Sequence, residues 1–335
     1  MSRITVLGSG AWGTAIALSL ASKRTHEVTL WSHRAEAAES LSHDRENRRF
    51  LPGFPFPAEL RVTGEDASAA AHAEILVVAV PSEFLRPTMA RLSPHLHIGQ
   101  ALVSTTKGLE DHSYLRMSEV IESCVAERGF TLPVGSLSGP SFAQELAAGM
   151  PTAVTIAFRD AEVACLVQEE FSSEHLRLYT NNDLIGVEMG GALKNVIAIA
   201  AGVLAGLGLG LNSSAGLITR GIAEITRLAV ASGGERETLA GLSGLGDLVL
   251  TCTGTLSRNR TVGFELGRGR KLPDILSGLD GKVAEGVRTT RAALGLAAKL
   301  GVEMPITEQM GLILDEGKEP KDAIRDLMQR RSTRE

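Results

Sequence analysis

ITVLGSGAWGTA, residues 4–15, decides the fold. Ile4–Leu7 is a short apolar run, Gly8, Gly10 and Gly13 follow at GxGxxG spacing, and a helical pattern opens at Ala11 and continues to about Ser22. Each glycine has its own task in a strand–turn–helix. Gly8 permits the tight turn, Gly10 lets backbone approach a pyrophosphate, and Gly13 lets helix pack on strand. The unpaired N–H groups at the helix start, from Ala11 onward, then face the anion. The spacing predicts a dinucleotide-binding turn.

Working outward, Val28–Trp31, Ile75–Val80, Ala101–Thr105 and Thr152–Phe158 are further apolar runs, separated mostly by amphipathic segments. Such alternation predicts a parallel sheet with helices on both faces and right-handed crossovers. Shorter strands near Leu60–Thr63 and Leu176–Thr180 extend it. After Asn181-Asn182-Asp183, a helix-start signal, the chain turns helical almost to its end. The expected architecture is α/β: a Rossmann-type, doubly wound, mostly parallel sheet over residues 1–182, then an all-helical domain over 183–335. Breaks are expected at 206–214, 241–246 and 251–257, with a frayed tail from Arg330.

Composition narrows the function classes. The 335 residues are 44% hydrophobic and 22% charged with a formal charge of -5, so no field gathers nucleic acid or anionic lipid and an anionic ligand must be held locally. Cys124, Cys165 and Cys252 lack CxxC spacing, which suits a reducing compartment, and no signal peptide is legible, so the cytoplasm is expected. Val196–Leu211, the greasiest stretch, falls short of the roughly 20 residues of a membrane span and is broken by glycines, so a buried helix and its exit are expected.

At the end of the second strand stand Ser32-His33-Arg34, where an acid would hold a ribose 2′-hydroxyl. A guanidinium without a carboxylate favours a 2′-phosphate, hence NADP(H) over NAD(H), with NAD(H) still possible. Arg34 facing water is the plainer alternative. All eight histidines, from His26 to His175, precede the helical part, which excludes a histidine base from that domain and leaves lysine as the natural proton donor. Lys194 is the candidate, with Gly190, Gly191 and Ala198 on its own helix face. A structural ion pair with a nearby acid is its alternative reading.

Lys107 follows a strand at the carboxyl edge, where ligands bind in open α/β sheets. Gly139-Pro140-Ser141 follows a short apolar run, and Pro140 suits a first helical turn that leaves N–H groups and the Ser141 hydroxyl for an oxygen-rich ligand. Ser257-Arg258-Asn259-Arg260 opens another helix, with Ser257 as N-cap and an Arg fork plus an Asn amide suited to a phosphate monoester. Exposed loop polarity is the bland reading of that run. Gly241, Gly244 and Gly246 read as a turn presenting Asp247. His95 and His97 read as a surface pair, and no metal is expected.

These residues together resemble the bacterial NAD(P)-dependent glycerol-3-phosphate dehydrogenases, over about residues 4–325. The likeness rests on GSGAWGTA at 8–15, VPS at 80–82, TKGLE at 106–110, SGPSFAQELAAGMPTA at 138–153, IGVEMGGALKNVIAIAAG at 185–202, GLGDLVLTCT at 244–253, SRNR at 257–260 and GVEMPIT at 301–307. The resemblance implies reversible reduction of dihydroxyacetone phosphate to sn-glycerol 3-phosphate for phospholipid synthesis. It implies Lys194 as proton donor and acceptor, and a substrate held by Lys107, Gly139, Ser141, Asp247, Ser257, Arg258 and Asn259. Trp12, His33, Lys107, Ala143, Arg258, Val283 and Glu285 would touch the cofactor. Ala284 stands where Val is expected, and Ser213 and Ser214 also depart. A small phosphorylated substrate and a homodimer are the expected partners, with no nucleic acid and no membrane span. A lysine is protonated at neutral pH, so reduction is ready to proceed while the reverse oxidation is expected to quicken at alkaline pH. The alternatives are a 3-hydroxyacid dehydrogenase of the 6-phosphogluconate or hydroxyisobutyrate kind and a non-catalytic dinucleotide sensor.

Overall fold

The structure is a computed structural model and describes residues 1–278 and 284–331. Its strands are β1 (Ser2–Leu7), β2 (His26–Trp31), β3 (Glu46–Asn47), β4 (Leu51–Pro55), β5 (Arg61–Thr63), β6 (Ile75–Val78), β7 (Ala101–Ser104), β8 (Val134–Ser138), β9 (Thr152–Ala157) and β10 (Leu176–Asn181). Between them run α1 (Ala11–Ser22), α2 (Ala35–Asp44), α3 (Asp66–Ala70), α4 (Ser82–Leu92), α5 (Met117–Ala126), α6 (Ala143–Ala147) and α7 (Ala161–Phe171). The remaining helices are α8 (Leu184–Gly206), α9 (Leu211–Ala231), α10 (Arg236–Leu239), α11 (Asp247–Thr253), α12 (Arg258–Gly267), α13 (Leu272–Ser277), α14 (Glu285–Leu300), α15 (Pro305–Glu316) and α16 (Pro320–Met328).

Eight strands form one sheet in the order β10-β9-β8-β7-β6-β1-β2-β5. From β5 to β8 every pairing is parallel, β8 and β9 pair antiparallel, and β9 and β10 are parallel to each other. The doubly wound, mostly parallel layer is therefore present, with its last two strands reversed. Strand β8, VGSLS, has no β-branched run to announce it. Its Gly135 is there for space: a Cβ would lie 2.5 Å from the Ala157 carbonyl oxygen and 2.4 Å from the Phe158 ring.

Alternation along the strands sorts side chains to the two faces. Ile4, Val6, Val28, Leu30, Val103 and Val154 share one core with Ile16 and Leu20 of α1 and Val167 of α7. Leu7, Trp31, Leu76, Val78 and Leu102 share the other with Leu85 and Met89 of α4 and Ile121 of α5. Each fully buried aliphatic side chain contributes roughly 1.5–3 kcal/mol, so the two faces together hold the layer without many aromatics.

The chain divides into two compact units, one of residues 1–107 and 115–188, the other of 108–114 and 189–335. Within the first, Arg116 at the start of α5 and Glu188 near the start of α8 form a buried pair (Nη1–Oε2 2.6 Å), and Ser118 donates to Glu188 from its N–H (2.8 Å) and its hydroxyl (2.6 Å). Burial pushes the Glu188 carboxyl up, against the pull of Arg116 and Ser118. In the second unit, the segment 108–114 lies on α14. Asp111 pairs with Arg288 at 3.1 Å, and a Cβ on Gly295 would come within 2.2 Å of the Tyr114 ring. His112 thus groups with the second unit, although residues 183–335 themselves hold no histidine.

Asp183 caps α8 as expected, accepting from the Gly186 N–H at 2.7 Å. The helix then runs 23 residues, long and apolar enough to cross a membrane by length and composition, and 89% of its most apolar window is buried inside the protein. Gly202 does not break it, contrary to expectation, while Gly206 is its last residue, where the exit was expected. They take the backbone of α12: a Cβ at Gly202 would sit 2.0 Å from the Arg260 carbonyl oxygen, and one at Gly263 of α12 would sit 1.9 Å from that of Ile199. Side chains are absent at the crossing so that backbone meets backbone. Ser213 and Ser214, expected in a break, lie in α9, and the break at 241–246 is a π-helical turn over Leu242–Gly246. Glu224 of α9, fully buried, accepts from the N–H groups of Ile306 and Thr307 at 2.8 Å each and so caps α15.

Candidate active site

The glycine turn has the geometry its sequence predicts. Gly8 has φ +118°, and a Cβ there would press to 2.6 Å from the Ala79 carbonyl oxygen. Gly13 packs onto the turn, since its Cβ would lie 1.9 Å from the Gly8 oxygen. At Gly10 a Cβ would meet nothing within 4 Å, so the backbone there is open to a ligand. Gly10 is also the N-cap of α1, with no side chain capping the helix, which leaves the N–H groups of Ala11 and Trp12 to an incoming anion. This cradle fits the pyrophosphate of a nicotinamide dinucleotide. Asn47, which sequence reasoning missed, secures it by donating to the Ser9 carbonyl (2.8 Å) and the Thr14 hydroxyl (2.8 Å). A lone asparagine in a two-residue strand gives no periodic signal.

Past β2, Ser32 is buried and accepts from the Ser9 hydroxyl at 2.9 Å, while His33 and Arg34 are exposed. Partial desolvation, then the charges of Arg34 and Arg91, hold the His33 imidazole below its usual range, so it is neutral at pH 7.

Lys107, Gly139 and Ser141 come together at the sheet edge. The Gly139 carbonyl accepts from Lys107 Nζ (3.2 Å) and from the Ser141 hydroxyl (2.9 Å). Gly139 has φ +142° and lies against Val154, where a Cβ would be 3.0 Å from that residue's Cα. The helix does not start at Pro140 as expected but at Ala143, because the turn at Gly139 carries Pro140 and Ser141 away from helical geometry. Half-buried Ala143 packs on the same core as Trp12.

The second unit holds the other set. Lys194, 8% exposed at its side chain, donates to Asp247 Oδ1 and to the Thr251 hydroxyl, both at 2.6 Å. The Thr251 hydroxyl lies 2.7 Å from the Asp247 carbonyl as a donor, one helical turn back. A buried ion pair needs its remaining polar atoms satisfied, and this one is set into a hydrogen-bonded triad. Thr251 was legible in principle, four residues from Asp247 on one helix face. The turn that presents Asp247 is pressed against α8: a Cβ on Gly190 would fall 2.6 Å from the Ser243 carbonyl oxygen. Cys252 lies beside the pair, and burial pushes its thiol up to about 12, so it is no thiolate at neutral pH.

Ser257 caps α12 as expected, accepting from the Arg260 N–H at 3.3 Å, and Arg258 stands exposed at the helix start. Asn259 has a structural tie the sequence did not indicate. Its Nδ2 donates to Asn195 Oδ1 at 2.9 Å, and its Oδ1 accepts from the Gly286 N–H at 3.0 Å, joining α8, α12 and α14. Glu285, the first residue of α14, is half-buried next to this tie, Ala284 is buried, and Val283 lies outside the described residues. Among the described residues no group of three or more His, Cys, Asp or Glu is placed to hold a metal ion.

Two family profiles match the chain: the NAD-dependent glycerol-3-phosphate dehydrogenase N-terminus over residues 3–164 and the corresponding C-terminus over 183–325. The chain is 62% identical over 333 residues, 98% of either chain, to a glycerol-3-phosphate dehydrogenase [NAD(P)+] of Acidobacterium capsulatum. It is 57% identical to the enzyme of that name from Koribacter versatilis, over 100% of this chain and 99% of the relative. A glycerol-3-phosphate dehydrogenase crystal structure from Coxiella burnetii superposes with a TM-score of 0.93 at 38% identity, covering 98% of this chain and 99% of that one.

Proposed function

Because the chain belongs to the NAD-dependent glycerol-3-phosphate dehydrogenase family, we propose a division of its chemistry between residues 1–182, which bind the dinucleotide and lend a few contacts to the substrate, and residues 183–335, which hold the substrate phosphate and move the proton. The reaction is the NAD(P)H-dependent, reversible reduction of dihydroxyacetone phosphate to sn-glycerol 3-phosphate. The nicotinamide supplies the hydride. Lys194 gives its proton to the substrate C2 oxygen as charge develops there and takes it back in the oxidation. Asp247 and Thr251 aim the ammonium, and Lys107, Gly139 and Ser141 orient the substrate. Arg258, with Ser257 and Asn259 at the start of α12, holds the phosphate by a guanidinium fork and a helix N-terminus.

The buried Lys194–Asp247–Thr251 triad carries this reading. It is tested by following NADPH oxidation with dihydroxyacetone phosphate, beside NADH and 6-phosphogluconate. Turnover with 6-phosphogluconate alone would return the rival 3-hydroxyacid reading. Arg258→Ala is expected to raise KM for dihydroxyacetone phosphate by about 10–100-fold, since a charge-assisted pair is worth roughly 1.5–3 kcal/mol. Unphosphorylated dihydroxyacetone should be indifferent to the change, and an equal loss with it would dismiss the clamp.

NADPH is the preferred coenzyme in this reading, supported by exposed Arg34 and by the lack of an acid among the three residues after β2. Three free cysteines support a cytoplasmic location. A homodimer completes the proposal, for which Leu209 and Leu211, 40% and 88% exposed at the start of α9, supply apolar surface. Sedimentation velocity checks it: a species of one chain mass at micromolar concentration rules the dimer out.

A further inference from the structure

One cation at the carboxyl end of β2 comes from a distant part of the sequence. Arg91, near the end of α4, reaches across to donate from Nη1 to the His33 carbonyl at 3.1 Å. Its Nε pairs with Asp66, and its guanidinium lies over the Trp31 ring, 5.4 Å from the centroid. Trp31 in turn donates from Nε1 to the other Asp66 oxygen at 3.2 Å. Two points follow. Asp66, an acid beside β2, already has an oxygen on Trp31 and an oxygen on Arg91, so it is poorly placed to serve as the acceptor for a ribose 2′-hydroxyl. Arg91 is also fixed on three sides while its side chain stays 44% exposed, and among the described residues its bonds run from Nε and Nη1.

We propose that Arg91 is a specificity-determining residue, forming with Arg34 a two-guanidinium clamp for the 2′-phosphate of NADPH. The inference rests on the NADPH preference proposed above. Arg34 stands exposed at the N-cap of α2 and must give up rotamer freedom to hold an anion. Arg91 has lost most of that freedom already, through the Trp31 ring, Asp66 and the His33 carbonyl. Of the pair it is therefore the pre-organised arm, and a planar fork on a fixed stem is the geometry that separates a phosphate dianion from a hydroxyl. Partial burial is the first cause that lowers the His33 imidazole's proton affinity, and the charges of Arg34 and Arg91 add to it, so both guanidiniums lie within electrostatic reach of that ring.

The test is calorimetric titration of the full chain with NADPH, NADH and adenosine 2′,5′-bisphosphate. Arg91→Gln is expected to weaken NADPH and the bisphosphate by about 10-fold and NADH by less than two-fold. Arg91→Met, which keeps an apolar stem on Trp31, should do the same. Equal loss of NADPH and NADH in both variants overturns the proposal and makes Arg91 a prop for β2, and unchanged NADPH binding overturns it as well. Arg34→Gln separates the two levels of inference. If it abolishes discrimination and Arg91→Gln does not, the NADPH preference stands and the second arm falls. A wild-type chain that binds NADH as tightly as NADPH removes both.

Discussion

Lys194→Ala is expected to lower kcat for dihydroxyacetone phosphate reduction by about 1,000-fold, the range of a lost general acid that also stabilises developing charge. The Kd for NADPH, measured by coenzyme fluorescence, should move less than two-fold. The asymmetry follows from where the residue sits: its ammonium is held by Asp247 and Thr251 inside the helical unit, while the glycine cradle belongs to the other unit. Removing it takes an ion-pair partner from the Asp247 carboxylate, 1% exposed, so a thermal melt must accompany the kinetics to show that the variant is folded. In the oxidation direction the neutral amine is the working form. The wild-type rate should therefore climb toward alkaline pH, and the residual rate of the variant should not follow that climb. Parallel loss of turnover and NADPH affinity would return Lys194 to the status of a structural ion pair.

The second large effect separates two glycines three residues apart. Gly13→Ala drives a Cβ to 1.9 Å from the Gly8 oxygen and 3.2 Å from the Ala79 Cβ, and backbone cannot yield cheaply. Helix α1 must lift from β1, at a cost of about 1–3 kcal/mol or more, with a lower melting temperature and NADPH affinity reduced at least about 10-fold. Gly10→Ala meets open space. Its melting temperature should stay within about 2 °C of wild type, because no packing contact is lost. NADPH affinity should nonetheless fall about 10-fold or more, since the methyl occupies the place where pyrophosphate approaches. Normal binding by Gly10→Ala would mean that the dinucleotide takes another route past the turn.

These contrasts also show which parts of the protein a sequence reveals. Strand β1, the glycine turn and α1 are legible because each local requirement, from apolar run to turn to helix, agrees with the tertiary one. Asp183 and Ser257 are legible as caps for the same reason. Strand β8 is not, since its Gly135 and serines answer to Phe158 and to the neighbouring strands, which periodicity does not see. The reversal of β9 and β10 is equally silent: a strand reads the same in either direction. At the site, the residue types of Lys194, Asp247 and Arg258 stood out, but the joining of Lys194 to Asp247 and of Asn259 to Asn195 depends on approaches across 53 and 64 positions. Gly202 misled because glycine inside a helix marks either a break or a close crossing, and only the partner α12 decides between them.

The segment 108–114 has a further consequence. Cutting the gene at the apparent border near residue 183 would give a C-terminal piece lacking Tyr114 and Asp111, so α14 would lose the ring that packs against Gly295 and one ion-pair partner of Arg288. The nucleotide-binding piece would meanwhile carry that seven-residue loop with nothing to rest on. Recombination between relatives therefore inherits a constraint: a transplanted coenzyme half brings along part of its former companion's surface, and that loop and α14 must be exchanged as a matched set.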